Sequence, residues 1–488
     1  MVKKINIKKY ILIIIAAIIF ACDIYFNKNI LVSSFEQCLY SVMKIEGSST
    51  SPFIYAIIYI AIFFIIIFPI LFFPTIDFGK RLLVTIKKKI FQLYPIKNVK
   101  IYGSILLILS IFGLLQVVKI FPFIKNTLLS STDIFDNYYI DGKNVDITFP
   151  DNKRNLIYIF VESLETSNAS AENGGLFRES IIPNLEELAL NNINFSSNEK
   201  LGGAYPSYGA EWTAAAMIAH TSAIPLKVSI DDININSTRF MHVTTIGDIL
   251  SENGYNNYLL LGSNSEFGGR KAYFINHNYL IKDYYTAIEE GKIDENYYEW
   301  WGYEDAKLFS YAKELLGEIS SSGKPFNLTM LTADTHFTDG YIDETCENKF
   351  DDHYANSFYC SDNKIGEFIG WIKEQDFYNN TTIVIVGDHI TMQDNFYEKK
   401  DNDKRRIYNV FINAKVDSNY ENKNRVFTTM DMFPTTLAAL GANIDGDRLG
   451  LGTNLFSNKM TIPEIIGIDK FNNELMKNSV YYYDYIRK

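Results

Sequence analysis

Three apolar runs in this chain each end in a carboxylate or an imidazole. Leu156–Val161 (LIYIFV) leads into Glu162-Ser163, and Thr381–Val386 (TTIVIV) leads into Gly387-Asp388-His389. Phe326–Leu331 is followed by Ala333-Asp334-Thr335-His336. Glutamate, aspartate and histidine are ligand types that suit zinc or manganese. Each alone reads more readily as a helix cap or a solvated turn. Three such tips on separate runs point to one shared site. A fourth stretch, Gly202 to Leu226, opens with glycines and a proline and continues as a helix from about Thr213. A hydroxyl there lies at a helix N-terminus, whose free N–H groups attract anions such as phosphate. A plain capping role for Thr213 is the other reading. Tyr205-Pro206-Ser207-Tyr208-Gly209 has tyrosine where a hydrolase elbow needs its first glycine, which argues against a serine hydrolase.

These residues need a scaffold that brings strand ends together. From about residue 150, short β-branched runs alternate with helical stretches. Strands are expected at 156–161, 258–261, 326–331 and 381–386, with helices at 183–190, 303–319 and 361–375. Such alternation predicts an α/β domain with a mostly parallel sheet flanked by helices. Sheets of this kind carry their functional residues at the carboxyl ends of the strands.

The first 125 residues are of another kind. Tyr10–Phe26, Phe53–Pro74 and Ile101–Val118 are long apolar runs, and only the first holds a charge, Asp23. About 20 apolar residues cross a hydrocarbon core, so three transmembrane helices are expected. Residues 27–52 carry two lysines, whereas 75–100 carry seven lysines and arginines. Positive-inside placement then puts the N-terminus in the cytoplasm and everything after the third run outside. The expected organisation is a membrane anchor over 1–125, a junction over 126–150 and an extracytoplasmic catalytic domain over 151–488.

Composition narrows the classes. Over 488 residues the chain is 47% hydrophobic and 21% charged, which is globular rather than disordered. A net charge of -11 makes a nucleic-acid partner a poor candidate. Three spans with so little internal charge form no transport pathway.

The ordered set Glu162, Trp212-Thr213, Asp334-Thr335-His336 with Asp339-Gly340, and Gly387-Asp388-His389 resembles the alkaline-phosphatase/sulfatase superfamily. More narrowly it resembles the phosphoglycerol transferases that modify periplasmic glucans and their relatives, the lipoteichoic acid synthases. The segments 428–437 (TTMDMFPTTL) and 449–455 (LGLGTNL) resemble the closing part of that fold. The resemblance covers about 154 to 456 and implies an alkaline-phosphatase-like domain. It implies that Glu162, Thr213, Asp388 and His389 bind one divalent ion, manganese first, with magnesium or zinc as alternatives. It makes Thr213 the nucleophile, His336 a contact to the phosphoryl or leaving group, and Arg270 a substrate-binding arginine. The tryptophan that the synthase branch carries two residues before that arginine is Gly268 here. A formylglycine sulfatase is not expected, because no cysteine sits in a Cys-x-Pro-x-Arg pattern.

The activity so implied is transfer of phosphoglycerol from phosphatidylglycerol to a glycan or cell-envelope polymer through a covalent Thr213 intermediate, at the cytoplasmic (inner) membrane. A phosphoethanolamine transferase of the same superfamily is the alternative enzyme. An inactive, membrane-tethered glycan-binding protein is the alternative of another class. Outside the cytoplasm, Cys346 and Cys360 are expected to pair in a disulfide.

Overall fold

The computed structural model describes residues 7–487, apart from 31, 33, 44–50, 77–81, 87, 88, 229–239, 241, 394 and 418. Its contacts divide it into two compact units, Met1–Phe35 with Thr50–Phe123, and Glu36–Ser49 with Ile124–Lys488. The first helices in chain order are α1 (Ile11–Asn29), α2 (Phe35–Met43), α3 (Ser51–Phe72) and α4 (Val99–Val117). Helices α1, α3 and α4 belong to the first unit, and α2 from Glu36 onwards to the second.

The three helices of the first unit are each long and apolar enough to cross a membrane. The apolar window in α3 has a mean hydropathy of 3.0, and none of that window is buried within the protein. A helix satisfies its own backbone, which hydrocarbon requires of any segment that crosses it. Pro69 is accommodated inside α3. Asn98 caps α4 by accepting from the Ile101 N–H at 3.3 Å. Between α3 and α4 stands an antiparallel pair, Leu82–Ile86 with Lys89–Leu93.

The second unit is built on a six-stranded sheet. Its strands are β1 (Asn155–Val161), β2 (Asn256–Leu261), β3 (Tyr279–Lys282), β4 (Phe326–Leu331), β5 (Thr381–Gly387) and β6 (Asn409–Ile412), in the spatial order β3-β2-β4-β1-β5-β6. All neighbours are parallel except β5 and β6. Every residue of β1, β4 and β5 is buried, as expected of a sheet covered on both faces. The period of two along β1 divides its side chains. Leu156, Tyr158 and Phe160 join the core that holds α6 (Thr213–Ser222) and α10 (Met432–Ala439). Ile157, Ile159 and Val161 join the core made with α5 (Pro183–Asn191), α8 (Asp305–Ser320) and α9 (His353–Lys373). The remaining labelled helix, α7 (Arg270–Asn276), lies between β2 and β3 in the chain.

Two strands lie outside the sequence expectation. β3 is a short edge strand that is only partly buried, and β6 is an antiparallel edge strand. Helix α9 begins at His353 rather than 361, because Asp352 caps it by accepting from Ala355 N–H at 2.9 Å. Residues 124–150 pack as part of the second unit. Phe135 is buried there, and Ile147–Thr148 pairs with Asn443–Ile444. The closing motifs are structural. The Asp431 carboxylate accepts from Thr428 N–H and Thr453 N–H, both at 2.8 Å, and so ties segment 428–437 to segment 449–455.

Candidate functional site

Register brings the strand tips level. Phe160 of β1 faces Leu331 of β4 and Val386 of β5, and Val161 faces Gly387. The next residues, Glu162 and Asp388, therefore emerge side by side, with the loop to His336 on the other flank of β1. Gly387 is needed for this approach, since a Cβ there would stand 1.8 Å from the Leu164 carbonyl oxygen.

Asp388 uses one oxygen on the backbone. Its Oδ1 accepts from Ser163 N–H and His389 N–H, both at 2.7 Å. Its Oδ2 is buried and has no hydrogen-bond partner among the described residues. The His389 Nδ1–H donates to the Ile390 carbonyl at 2.8 Å, and a carbonyl can only accept, so the Nε2 lone pair is left for the site. That Nε2 lies 3.3 Å from Asp388 Oδ2 and 3.5 Å from Glu162 Oε1. Thr213, the first residue of α6, donates from Oγ1 to Glu162 Oε2 at 3.0 Å and lies 3.4 Å from His389 Nε2. Ligand atoms of Glu162, Asp388 and His389 all lie within 4.8 Å of one another.

This donor set fits a divalent cation. It has two carboxylates, one imidazole nitrogen free to ligate, and a hydroxyl. All three metal-type residues are buried, and one carboxylate oxygen is otherwise orphaned, a costly state without a counter-charge. The electrostatics follow from the crowding. Burial, and then the charge of Glu162, push Asp388 up to about 7. For Glu162, burial raises the carboxyl, but the His336 and His389 rings and the Ser163 and Thr213 hydroxyls outweigh it and hold it below its ordinary value. His389 is opposed by burial yet raised by the Asp388 and Glu162 carboxylates.

The other expected residues border a cavity of about 60 Å³ lined by Tyr40, Trp212, Thr213, Phe267, Arg270 and His336, among others. His336 donates from Nδ1 to the Phe337 carbonyl at 2.6 Å, and burial lowers its pKa. Its loop is clasped from behind. Asp305 Oδ1 accepts from Ala333 N–H at 2.8 Å, and Lys364 Nζ meets Asp334 Oδ2 at 3.1 Å. Arg270 is 6% exposed, and burial lowers it to about 10, so it stays charged at neutral pH. It donates to the Phe267 and Asn264 carbonyls, both at 2.9 Å, which fixes the guanidinium against the cavity.

Gly268 has φ +69, and a Cβ there would lie 3.1 Å from Ala214 Cβ, so no tryptophan fits at that position. An indole nevertheless stands beside the site. The Trp301 ring centroid is 4.5 Å from that of His336 and 5.4 Å from that of Phe267. Cys346 and Cys360 are joined in a disulfide with Cα atoms 5.4 Å apart. His277 is buried against Asp248 at 2.8 Å and does not line the cavity. Sequence reading did not single out Tyr40, Trp301 or Met392. The first two belong to no strand-end pattern, and Met392 is an apolar residue three places after His389.

A family model described as Sulfatase matches residues 154–442. Phosphoglycerol transferase I of Escherichia coli (strain 536) is 31% identical over 373 residues, which cover 71% of this chain and 46% of that protein. The chain thus spans about half the length of the curated relatives it matches. Among solved structures, a lipoteichoic acid synthase from Listeria monocytogenes superposes with a TM-score of 0.50 at 18% identity, covering 64% of this chain and 79% of that one. The integral membrane lipooligosaccharide phosphoethanolamine transferase A of Neisseria meningitidis superposes with a TM-score of 0.51 at 13% identity, covering 89% and 83%. At these identities the two structures speak for the fold alone.

Proposed function

The chain belongs to the sulfatase family, and from that premise we propose that it is a membrane-anchored phosphoglycerol transferase. The reaction moves phosphoglycerol from phosphatidylglycerol to a hydroxyl of a glycan or cell-envelope polymer. One observation carries the reading: the Thr213 hydroxyl, at a helix N-terminus, bonds Glu162 at 3.0 Å and stands beside His389 Nε2, next to the orphaned Asp388 oxygen. Glu162, Asp388, His389 and Thr213 would hold a divalent cation, manganese in this reading, which would supply the Lewis acidity that lowers the hydroxyl pKa and offsets charge on the phosphodiester.

The chain's own residues account for the rest. Thr213 Oγ1 attacks phosphorus as its proton leaves along the bond to Glu162. The bond from phosphorus to the diacylglycerol oxygen breaks, that oxygen takes up a proton from water, and phosphoglycerol remains esterified to Thr213. The acceptor hydroxyl then attacks the same phosphorus. His336, neutral because burial lowers its pKa, takes that proton at Nε2 and passes it to water, while the bond to Thr213 breaks and the Thr213 oxygen recovers its proton from Glu162. Arg270 faces the phosphate as a fixed charge. The cavity lining offers this guanidinium and no carboxylate among the described residues, which favours an uncharged glycerol head over ethanolamine's ammonium. The seven lysines and arginines of 75–100, against two in 27–52, support a reading in which the residues after the third apolar helix lie outside the cytoplasmic membrane.

The test is purified full-length protein with labelled phosphatidylglycerol and manganese. Diacylglycerol is released by the wild type and not by Thr213→Ala. Equal release by both removes Thr213 from its role, and consumption of phosphatidylethanolamine alone replaces the donor.

A further inference from the structure

Helix α2 lies in the stretch that the chain inserts between its first two apolar spans, and it reaches three separate segments of the site. The Glu36 carboxylate accepts from the Tyr208 hydroxyl, five residues before Thr213. The Tyr40 hydroxyl donates to the Gly268 carbonyl, two residues before Arg270. Gln37 Nε2 lies 2.6 Å from the sulfur of Met392, three residues after His389. Residues 36, 37 and 40 share one helical face, and all three are buried although each carries a polar group. Plain docking of an anchor does not call for three polar contacts around one cavity. Tyr40 and Met392 line that cavity directly.

Beside Tyr40 stands Trp212, with ring centroids 5.5 Å apart. Trp212 is 7% exposed, and its indole N–H has no acceptor among the described residues. A buried donor left unpaired costs about 1–3 kcal/mol, a cost that an acceptor brought by a ligand would remove. The walls near it are apolar or aromatic: Tyr40, Trp212, Phe267 and Met392. The polar groups Thr213, Arg270 and His336 border the same space.

We propose that Tyr40 and Trp212 form a subsite for the acylated-glycerol part of the donor lipid, with the Trp212 N–H donating to an ester carbonyl and the Tyr40 ring packing on the glycerol and first methylenes. The subsite rests on the lipid-donor reading above but contacts the portion that phosphatidylglycerol and phosphatidylethanolamine share. It makes the segment between the first two spans a working wall of the transfer site.

The experiment uses full-length protein in nanodiscs, with two substrates: phosphatidylglycerol in the bilayer, and bis(p-nitrophenyl) phosphate, which has neither ester carbonyl nor acyl chain. The quantity read is the ratio of kcat/KM on lipid to kcat/KM on the soluble diester. Tyr40→Ala lowers that ratio at least tenfold, and Trp212→Phe, which keeps a ring and removes the donor, lowers it at least fivefold. A ratio within twofold of wild type in both variants overturns the subsite, whether overall activity is kept or lost, because a merely structural role weakens both substrates together. If Tyr40→Ala does not fold, benzoylphenylalanine at position 40 is used. Crosslinking to radiolabelled phosphatidylglycerol supports the subsite, and its absence overturns it. If the wild type consumes only phosphatidylethanolamine, the phosphoglycerol reading falls and the same ratio is read on that lipid. If it consumes neither lipid, both proposals fall.

Discussion

Asp388→Asn gives the proposed cation site a sign that can be checked without any substrate. In the wild type, Asp388 Oδ1 holds two backbone N–H groups, while Oδ2, which has no hydrogen-bond partner among the described residues, faces His389 Nε2 at 3.3 Å. Asparagine keeps the first oxygen in place and puts an N–H₂ where two acceptors now converge. Satisfying one buried acceptor pair and removing one buried charge is worth about 1–3 kcal/mol. In chelator, the variant is therefore more stable than the wild type by about that amount. Added manganese reverses the order. A ligand at about 100 times its Kd stabilises the native state by about 2.7 kcal/mol, and the variant, lacking a charged ligand, gains little of it. Thermal or urea unfolding of full-length protein, with EDTA and then with manganese, reads both halves. A variant that is less stable than wild type in EDTA, or that keeps the full manganese response, refutes the cation site as drawn.

Three further outcomes follow from other parts of the second unit. Arg405 is buried in an ion pair with Glu165 and also donates to the Thr391 carbonyl at 2.9 Å; Arg405→Met strands the carboxylate and costs about 3–5 kcal/mol in urea unfolding. Lys227 is 3% exposed, and burial lowers it to about 7 from an ordinary 10.5, partly opposed by Glu36. Its folded pKa is depressed, so its contribution is fully present above about 10.5 and lost as pH falls towards 7. Wild-type stability therefore rises from pH 7 to pH 10 relative to Lys227→Met, and parallel curves for the two proteins would contradict this. The Cys346–Cys360 disulfide closes a sequence separation of 14 residues. Cys346→Ser with Cys360→Ser lowers unfolding stability by about 3 kcal/mol, and a reductant produces the same loss in the wild type and none in the variant.

Much of this could be read before any coordinates, for physical reasons. Helices long enough to span a bilayer are continuous apolar runs, and composition shows them directly. Strands β1, β4 and β5 are buried on both faces, so each appears as a mostly apolar run, broken in β4 by Asn327 and Thr329, with a polar residue soon after its end. The edge strands β3 and β6 lack that contrast. β3 buries only its first residue, Tyr279, and both β3 and β6 are only four residues long. The start of α9 was hidden because its first turns are rich in aromatic and small polar residues, and only the Asp352 cap marks the boundary.

The amino-acid sequence by itself determined which residue types end the central strands, which segments are apolar enough for a membrane, and that a threonine opens a helix near them. Tertiary structure decided the rest, because those choices depend on register and on contacts between residues far apart in the chain. Level pairing of β4, β1 and β5 puts Glu162 next to Asp388, which lies 226 positions later. The left-handed backbone at Gly268, pressed on Ala214, excludes an indole there and leaves Trp301 beside His336 instead. Tyr40, from a stretch between two apolar spans, packs against Trp212 within the second unit, with the two rings tilted by 43°. No local pattern foretells that last contact, since it is set by long-range packing and not by the residues on either side.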